Sequence, residues 1–170
     1  AAHSPRDISG QKKPRSVVPM MRKWLDIPSV WLLGALCLAY WQARAMPAGL
    51  SFGPVWADLL GGLLVGGGLL VALLALAELR RNRTSFMPHD EAARLVTGGI
   101  FRLSRNPIYL GDVLILAGLI LFWDAVLSLV LVPIFVWVVE KRFIEKEEYR
   151  LKRKFLASYG RYSQQTRRWI

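Results

Sequence analysis

From Val55 to Leu79 the chain is almost unbroken in its apolarity: V-W-A-D-L-L-G-G-L-L-V-G-G-G-L-L-V-A-L-L-A-L-A-E-L. As a helix this run would reach ~38 Å, enough to cross a hydrocarbon core of ~30 Å. It constrains the rest of the fold, because in lipid only structures that satisfy their own backbone hydrogen bonds survive. Three further runs obey the same logic: Ser29 to Met46, Pro107 to about Trp123, and Ala125 to Val139. The last two fall short of the ~20 residues of a perpendicular span, and only Asp124 parts them, so they read as a tight helical hairpin. The expected fold is all-α. It is a polytopic membrane protein of about four transmembrane helices, the last two a hairpin, followed by a C-terminal amphipathic cytoplasmic helix.

Apolar residues make up 54% of the 170, yet the net charge is +11, which is consistent only if grease and charge alternate along the chain. Arg6, Lys12, Lys13, Arg15, Arg22 and Lys23 precede the first run. Arg80, Arg81, Arg83, Arg94, Arg102 and Arg105 lie between the second and third, and the tail from Lys141 to Arg168 is the most basic segment. The opposite connections offer only Arg44. The positive-inside rule therefore places both termini and the central loop in the cytoplasm, at the bacterial inner membrane or, in a eukaryote, the endoplasmic reticulum. Basic patches bracketing apolar spans suit membrane lipids as partners and argue against nucleic acid. Cys37 is the only cysteine, so no intrachain disulfide is expected; with His3 and His89 the only histidines, no metal site is expected. Residues 1–27 read as a flexible basic tail, partly trimmed or engineered because the chain opens Ala-Ala-His-Ser; 28–170 read as one transmembrane domain.

The glycines of Gly61 to Gly68 sit inside the longest run, where a phosphate-cradling loop has neither the strand nor the polar setting it needs. Gly62 and Gly66 form a GxxxG and are expected to let another helix approach closely.

The third run opens on S-R-N-P-I-Y-L-G-D, Ser104 to Asp112. One reading is structural: Asn106 caps the helix, Pro107 fills its first turn, Tyr109 sits at the interface, and Arg102 and Arg105 anchor it. The other is functional. A helix N-terminus at the membrane surface with two arginines nearby can hold a carboxylate or phosphate. Asp112, one turn inside the apolar run, needs Arg105, Arg102 or a bound cation as partner.

In the tail, Phe143, Glu147, Leu151 and Phe155 form an unbroken i, i+4 series, with Ile144 beside it. Glu147 therefore points to the apolar side of its helix, where a carboxylate needs a partner: an internal salt bridge to the central loop, or a polar or cationic ligand. Hairpin topology brings the Arg105-Asn106-Pro107 threshold and Glu147-Glu148 to the same cytoplasmic corner.

Leu95 to Gly111, L-V-T-G-G-I-F-R-L-S-R-N-P-I-Y-L-G, resembles the signature of the isoprenylcysteine carboxyl methyltransferase and phospholipid methyltransferase superfamily. The tail strengthens the likeness through E-E-Y-R-L at Glu147 to Leu151, then Phe155, Tyr159, Tyr162 and R-R-W-I at Arg167 to Ile170; T-S-F-M-P-H at Thr84 to His89 is similar to a stretch of bacterial members. The resemblance implies an integral-membrane methyltransferase using S-adenosylmethionine, with the cofactor-binding half at about 84–170 and a lipophilic methyl acceptor entering from the bilayer. The acceptor would be the carboxylate of an isoprenylated cysteine or a related lipid, thiol or amine; the alternatives are a phospholipid N-methyltransferase, a sterol-reductase-like nicotinamide enzyme, and a non-catalytic membrane module. Carried over by position, His89, Leu95, Val96, Phe101, Asn106, Pro107, Ile108, Tyr109 and Glu147 would hold the cofactor. Arg142 or Arg105 would hold an anionic acceptor, and Glu148 would take the proton of an amine. Two positions depart from the family pattern: its substrate-holding arginine four residues before the acidic pair is Phe143 here, with Arg142 one residue off, and its Phe-Gly becomes Phe155-Leu156.

Overall fold

The computed structural model describes residues 27–46, 49–84 and 92–170; His89 and nearly all of the N-terminal tail lie outside them. Among the described residues five α-helices run in order: α1 (Pro28–Ala45), α2 (Pro54–Arg81), α3 (Pro107–Phe122), α4 (Leu131–Val139) and α5 (Glu145–Gln165). Short 3-10 turns at Gly99–Arg102 and Val126–Val130 precede α3 and α4, and a π turn, Glu140–Ile144, joins α4 to α5. No strand occurs among the described residues. The first three helices each begin on a proline, whose fixed φ and missing N–H suit a first turn. Of the described helices, α2 alone is long and apolar enough to cross a bilayer unaided, while α3 is apolar but shorter. The outer face of α2 leaves Leu59, Leu63, Leu70 and Leu73 exposed, a surface that suits lipid better than water.

Antiparallel packing of α3 along α2 forms the centre of the fold, and it differs from the GxxxG expectation. Nothing lies within 4 Å of where a Cβ on Gly62 or Gly66 would sit. The contact runs instead through Gly61 against Gly118 and Gly68 against Gly111, where an added Cβ would meet the facing carbonyl oxygen at 2.6–2.7 Å. Both pairs repeat every seven residues. The seam is thus a heptad-spaced, backbone-to-backbone contact, as expected of helices crossing at a small angle.

Around this pair, Ala39 of α1, Leu116 and Ile120 of α3, Phe135 and Val139 of α4 and Ile144 of the π turn build one core cluster. A second, made by Ala75, Leu79, Val96, Phe101, Tyr159 and Tyr162, ties α5 to the end of α2 and the loop before α3. Polar stitches hold the opposite end: Ser128 donates through its N–H (3.2 Å) and hydroxyl (2.8 Å) to Gln42, and the Phe52 N–H donates to Asp124 at 2.8 Å.

The fourth run passes into the tail helix without a break. Helical backbone angles continue from Val139 through the π turn into Glu145, so α4 and α5 form one rod. A π turn inserts a residue into the helical ladder and so rotates every side chain beyond it about the helix axis, a device found often at functional sites. A second irregularity lies farther along. Leu156 interrupts α5 at φ 42°, ψ −114°, a conformation that belongs to glycine and marks the kink. Because the Leu156 side chain is 70% exposed, it has little packing to lose. Leu156→Gly is expected to raise stability by ~1 kcal/mol, the relieved strain of ~1–3 kcal/mol exceeding the extra unfolded-state entropy of glycine. Thermal unfolding in detergent checks it; a lowered melting temperature would show the backbone to be unstrained.

Candidate functional site

The threshold of α3 and the start of α5 meet at one corner. Arg105 lies 3.4 Å from Glu148 through one guanidinium nitrogen and donates to the Tyr159 hydroxyl at 3.1 Å through the other. One turn into α3, Tyr109 lies close enough to Glu147 for the two groups to perturb each other, and packs its ring against Phe143 at 6.5 Å. The i, i+4 series of the tail is what aims Glu147 there, with Phe143 on one side and Leu151 and Phe155 in the second cluster on the other. Glu147 is exposed by its surface area, yet the protein packed around its carboxyl makes desolvation the largest influence and pushes its pKa up, outweighing the Arg150 charge and the nearby Tyr109 hydroxyl that pull it down.

Asn106 does not cap its helix with its side chain. Its Nδ2 donates at 3.2 Å to the carbonyl of Arg168, while its own N–H is taken by the Ser104 hydroxyl at 3.1 Å. Ser104 also reaches the Arg168 carbonyl at 3.3 Å, and the Arg105 N–H donates to the Arg167 carbonyl at 3.0 Å. Residues 166–169 therefore lie as a clasp along the threshold. The Arg168 guanidinium completes it, donating to both oxygens of Glu148 (2.7 and 3.1 Å) and to Glu140 in the π turn. Neither Arg168 nor Glu140 stands out by spacing. The only sequence signal for Arg168 was the R-R-W-I at the end of the family likeness, and Glu140 had none in it.

The other expected site residues divide. Pro107 is buried, and Ile108 packs on the second cluster. Val96 and Phe101 are buried within that cluster, so their side chains serve as core, and the Phe101 carbonyl accepts from Tyr162 at 2.7 Å. Leu95 lines a separate cleft of about 680 Å³ with Arg102, Phe155 and Tyr162, whose lining includes none of Asn106, Tyr109 or Glu147. Arg142 lies over the Trp31 ring of α1, 5.4 Å from its centroid. Asp112 forms an ion pair with neither Arg105 nor Arg102, two of the three partners expected for it; Arg105 is committed to Glu148. Among the described residues no cluster could hold a metal ion.

This corner offers carboxylates, a phenol and a carboxamide at the mouth of an apolar helix pair, a set suited to a small zwitterion with extra positive charge. Comparison with known proteins agrees in kind. No curated protein and no solved structure matches the chain. The phospholipid methyltransferase family matches over residues 56–157, more than half of the chain, from α2 through the acidic pair to just past the kink of α5. The chain belongs to the phospholipid methyltransferase family, within the superfamily of membrane methyltransferases that also contains the isoprenylcysteine enzymes.

Proposed function

We propose that this protein is an S-adenosylmethionine-dependent methyltransferase of a membrane lipid, with a four-span topology, cytoplasmic termini and its site at the cytoplasmic leaflet. The observation that carries the reading is the meeting of Tyr109 and Arg105, at the start of α3, with Glu147 and Glu148, at the start of α5. The residues suit the cofactor: Glu147, raised in pKa, offers its carboxylate to an ammonium or sulfonium, with Asn106 and Tyr109 as polar neighbours. When bound, S-adenosylmethionine supplies an activated methyl carbon, which passes to the acceptor's lone pair while the sulfonium becomes a neutral thioether. Since no oxyanion develops, the chain's contribution is alignment and exclusion of water. Tyr109 and Phe143 wall the bilayer side, and the Arg168 clasp fixes the threshold from the other.

The acceptor we infer is a lipid amine. A carboxylate acceptor calls for an available arginine, but Arg105 and Arg168 are engaged by Glu148 and Glu140, and Phe143 occupies the position where the isoprenylcysteine enzymes hold their substrate. Membranes containing the chain, incubated with methyl-labelled cofactor, should place label in the extracted aminophospholipids. Base-labile methyl ester on prenylated peptide would move the acceptor to a carboxylate; no label anywhere would remove the enzymatic reading.

Cofactor affinity should also depend on pH. The carboxyl of Glu147 is raised in the folded protein, so below its shifted pKa it is neutral and offers no charge to a cation. Affinity should therefore climb by up to roughly tenfold per pH unit through the interval above the ordinary Glu range, then level off. Glu147→Gln should flatten that profile and weaken binding at the plateau by at least about tenfold. Calorimetry across pH measures both; an unchanged profile in the variant would take Glu147 out of the cofactor site.

A further inference from the structure

The cleft beside Leu95 is chemically unlike the corner just described. Its floor is apolar and aromatic, with the buried ring of Tyr162 and the half-buried Phe155; the Tyr162 hydroxyl is already spent on the Phe101 carbonyl. Its rim carries two cations from different elements, Arg102 on the 3-10 turn before α3 and Arg161 on α5 beyond the Leu156 kink, with the hydroxyls of Thr97 and Ser158 between them. No carboxylate lines it, and among the described residues none of these four side chains makes an ion pair or hydrogen bond. Arg105 and Arg168, by contrast, are paired: Arg105 with Glu148, Arg168 with Glu148 and Glu140. Two guanidiniums facing one space without counter-charge repel each other, and an anion bridging them removes that cost. Planar guanidiniums favour phosphate over a monodentate anion, and the hydroxyls supply further donors. A volume of about 680 Å³ admits a phosphate together with the glycerol or sugar attached to it.

We propose that this cleft is a phosphate-binding site, separate from the methyl-transfer corner, which takes a phosphate ester through Arg102 and Arg161. A bound phosphate would tie the loop that carries Leu95 and Val96 to the far half of α5, across the kink. The inference stands on cleft geometry and charge, and it uses the proposed function only to place the cleft at headgroup depth.

The test is thermal unfolding of the full chain in detergent, with dihexanoyl phosphatidic acid, inorganic phosphate and a neutral dihexanoyl glyceride added separately. Phosphatidic acid should stabilise the protein and the glyceride should not. Inorganic phosphate acting as well as the lipid would identify a soluble phosphate as the ligand, and phosphate without effect a headgroup; either supports the site. Arg102→Gln with Arg161→Gln should weaken phosphatidic acid binding at least tenfold. Arg161→Gln alone, at an exposed helical position, should weaken it several-fold and serves if the double variant is poorly folded. The proposal is overturned if phosphatidic acid gives no stabilisation, if the Gln variants are stabilised as strongly as the parent, or if S-adenosylmethionine displaces the lipid competitively, which would make the cleft the cofactor's own. Cofactor binding measured in the same variants keeps the two readings apart: its failure in the parent chain would count against the methyltransferase reading alone.

Discussion

Gly68→Leu or Gly111→Leu is expected to leave no folded protein. Even the Cβ of an alanine would stand 2.6 Å from the facing backbone carbonyl, Gly111 O in one case and Gly68 O in the other. Side chains at such a site can turn away, but a carbonyl held in a helix cannot, so the helices must separate and give up the seam along its length. Overpacking costs ~1–3 kcal/mol where side chains can adapt. Here we expect at least ~3 kcal/mol for alanine and complete loss for leucine, a large share of a typical stability of ~5–15 kcal/mol. The internal control is strong, because α2 carries other glycines on other faces. Gly62→Ala and Gly66→Ala meet nothing within 4 Å and should be neutral or gain up to ~1 kcal/mol from helix propensity. Size-exclusion profiles and thermal unfolding in detergent compare the four variants directly. Equal tolerance at Gly62 and Gly68 would show that the α2–α3 seam is not where the structure has it.

That contrast also shows how much of the fold the sequence could reveal. Apolar runs that begin at prolines predict α1, α2 and α3 nearly to the residue, because apolar composition and helix initiation are local properties. Which face of α2 meets α3 is not local. A four-residue glycine spacing suggests a right-handed crossing, whereas the observed pairing uses seven-residue spacing on both helices, visible only when the two sequences are laid antiparallel. The single rod of α4 and α5 was hidden for a different reason. E-K-R-F-I is where apolar composition ends, so composition suggests a boundary, while the backbone continues through a π turn. At the candidate site, the i, i+4 stripe placed Glu147 and hairpin topology placed it near the α3 threshold. The clasp was illegible because its bonds join residues 62 to 64 positions apart, between groups whose local patterns say nothing of each other.

Arg168→Ala is the substitution expected to disturb the site most. Its guanidinium is the cation shared by Glu140 and Glu148, with side chains only 28% and 16% exposed, and it ties the π turn that holds Glu140 to the first turns of α5. Without it, Glu148 keeps only Arg105 at 3.4 Å, Glu140 loses its cation, and two carboxylates are left facing one space. Breaking one side of a buried pair costs ~3–5 kcal/mol; with Arg168 itself 31% exposed, we expect ~2–3 kcal/mol. Methyl transfer should fall further than stability alone explains, because Asn106 and Ser104 take their acceptor from the carbonyl of the same residue, so a loosened clasp frees the threshold. Arg168→Lys separates charge from geometry: it keeps the cation, loses the two-point hold on Glu148, and should fall between parent and alanine. A double-mutant cycle with Glu148→Gln then measures the coupling, expected at ~1–3 kcal/mol, since neutralising Glu148 removes the charge that Arg168→Ala strands. Additive effects of the two substitutions would mean that Arg168 and Glu148 do not meet, and the threshold would have to be held by something other than this clasp.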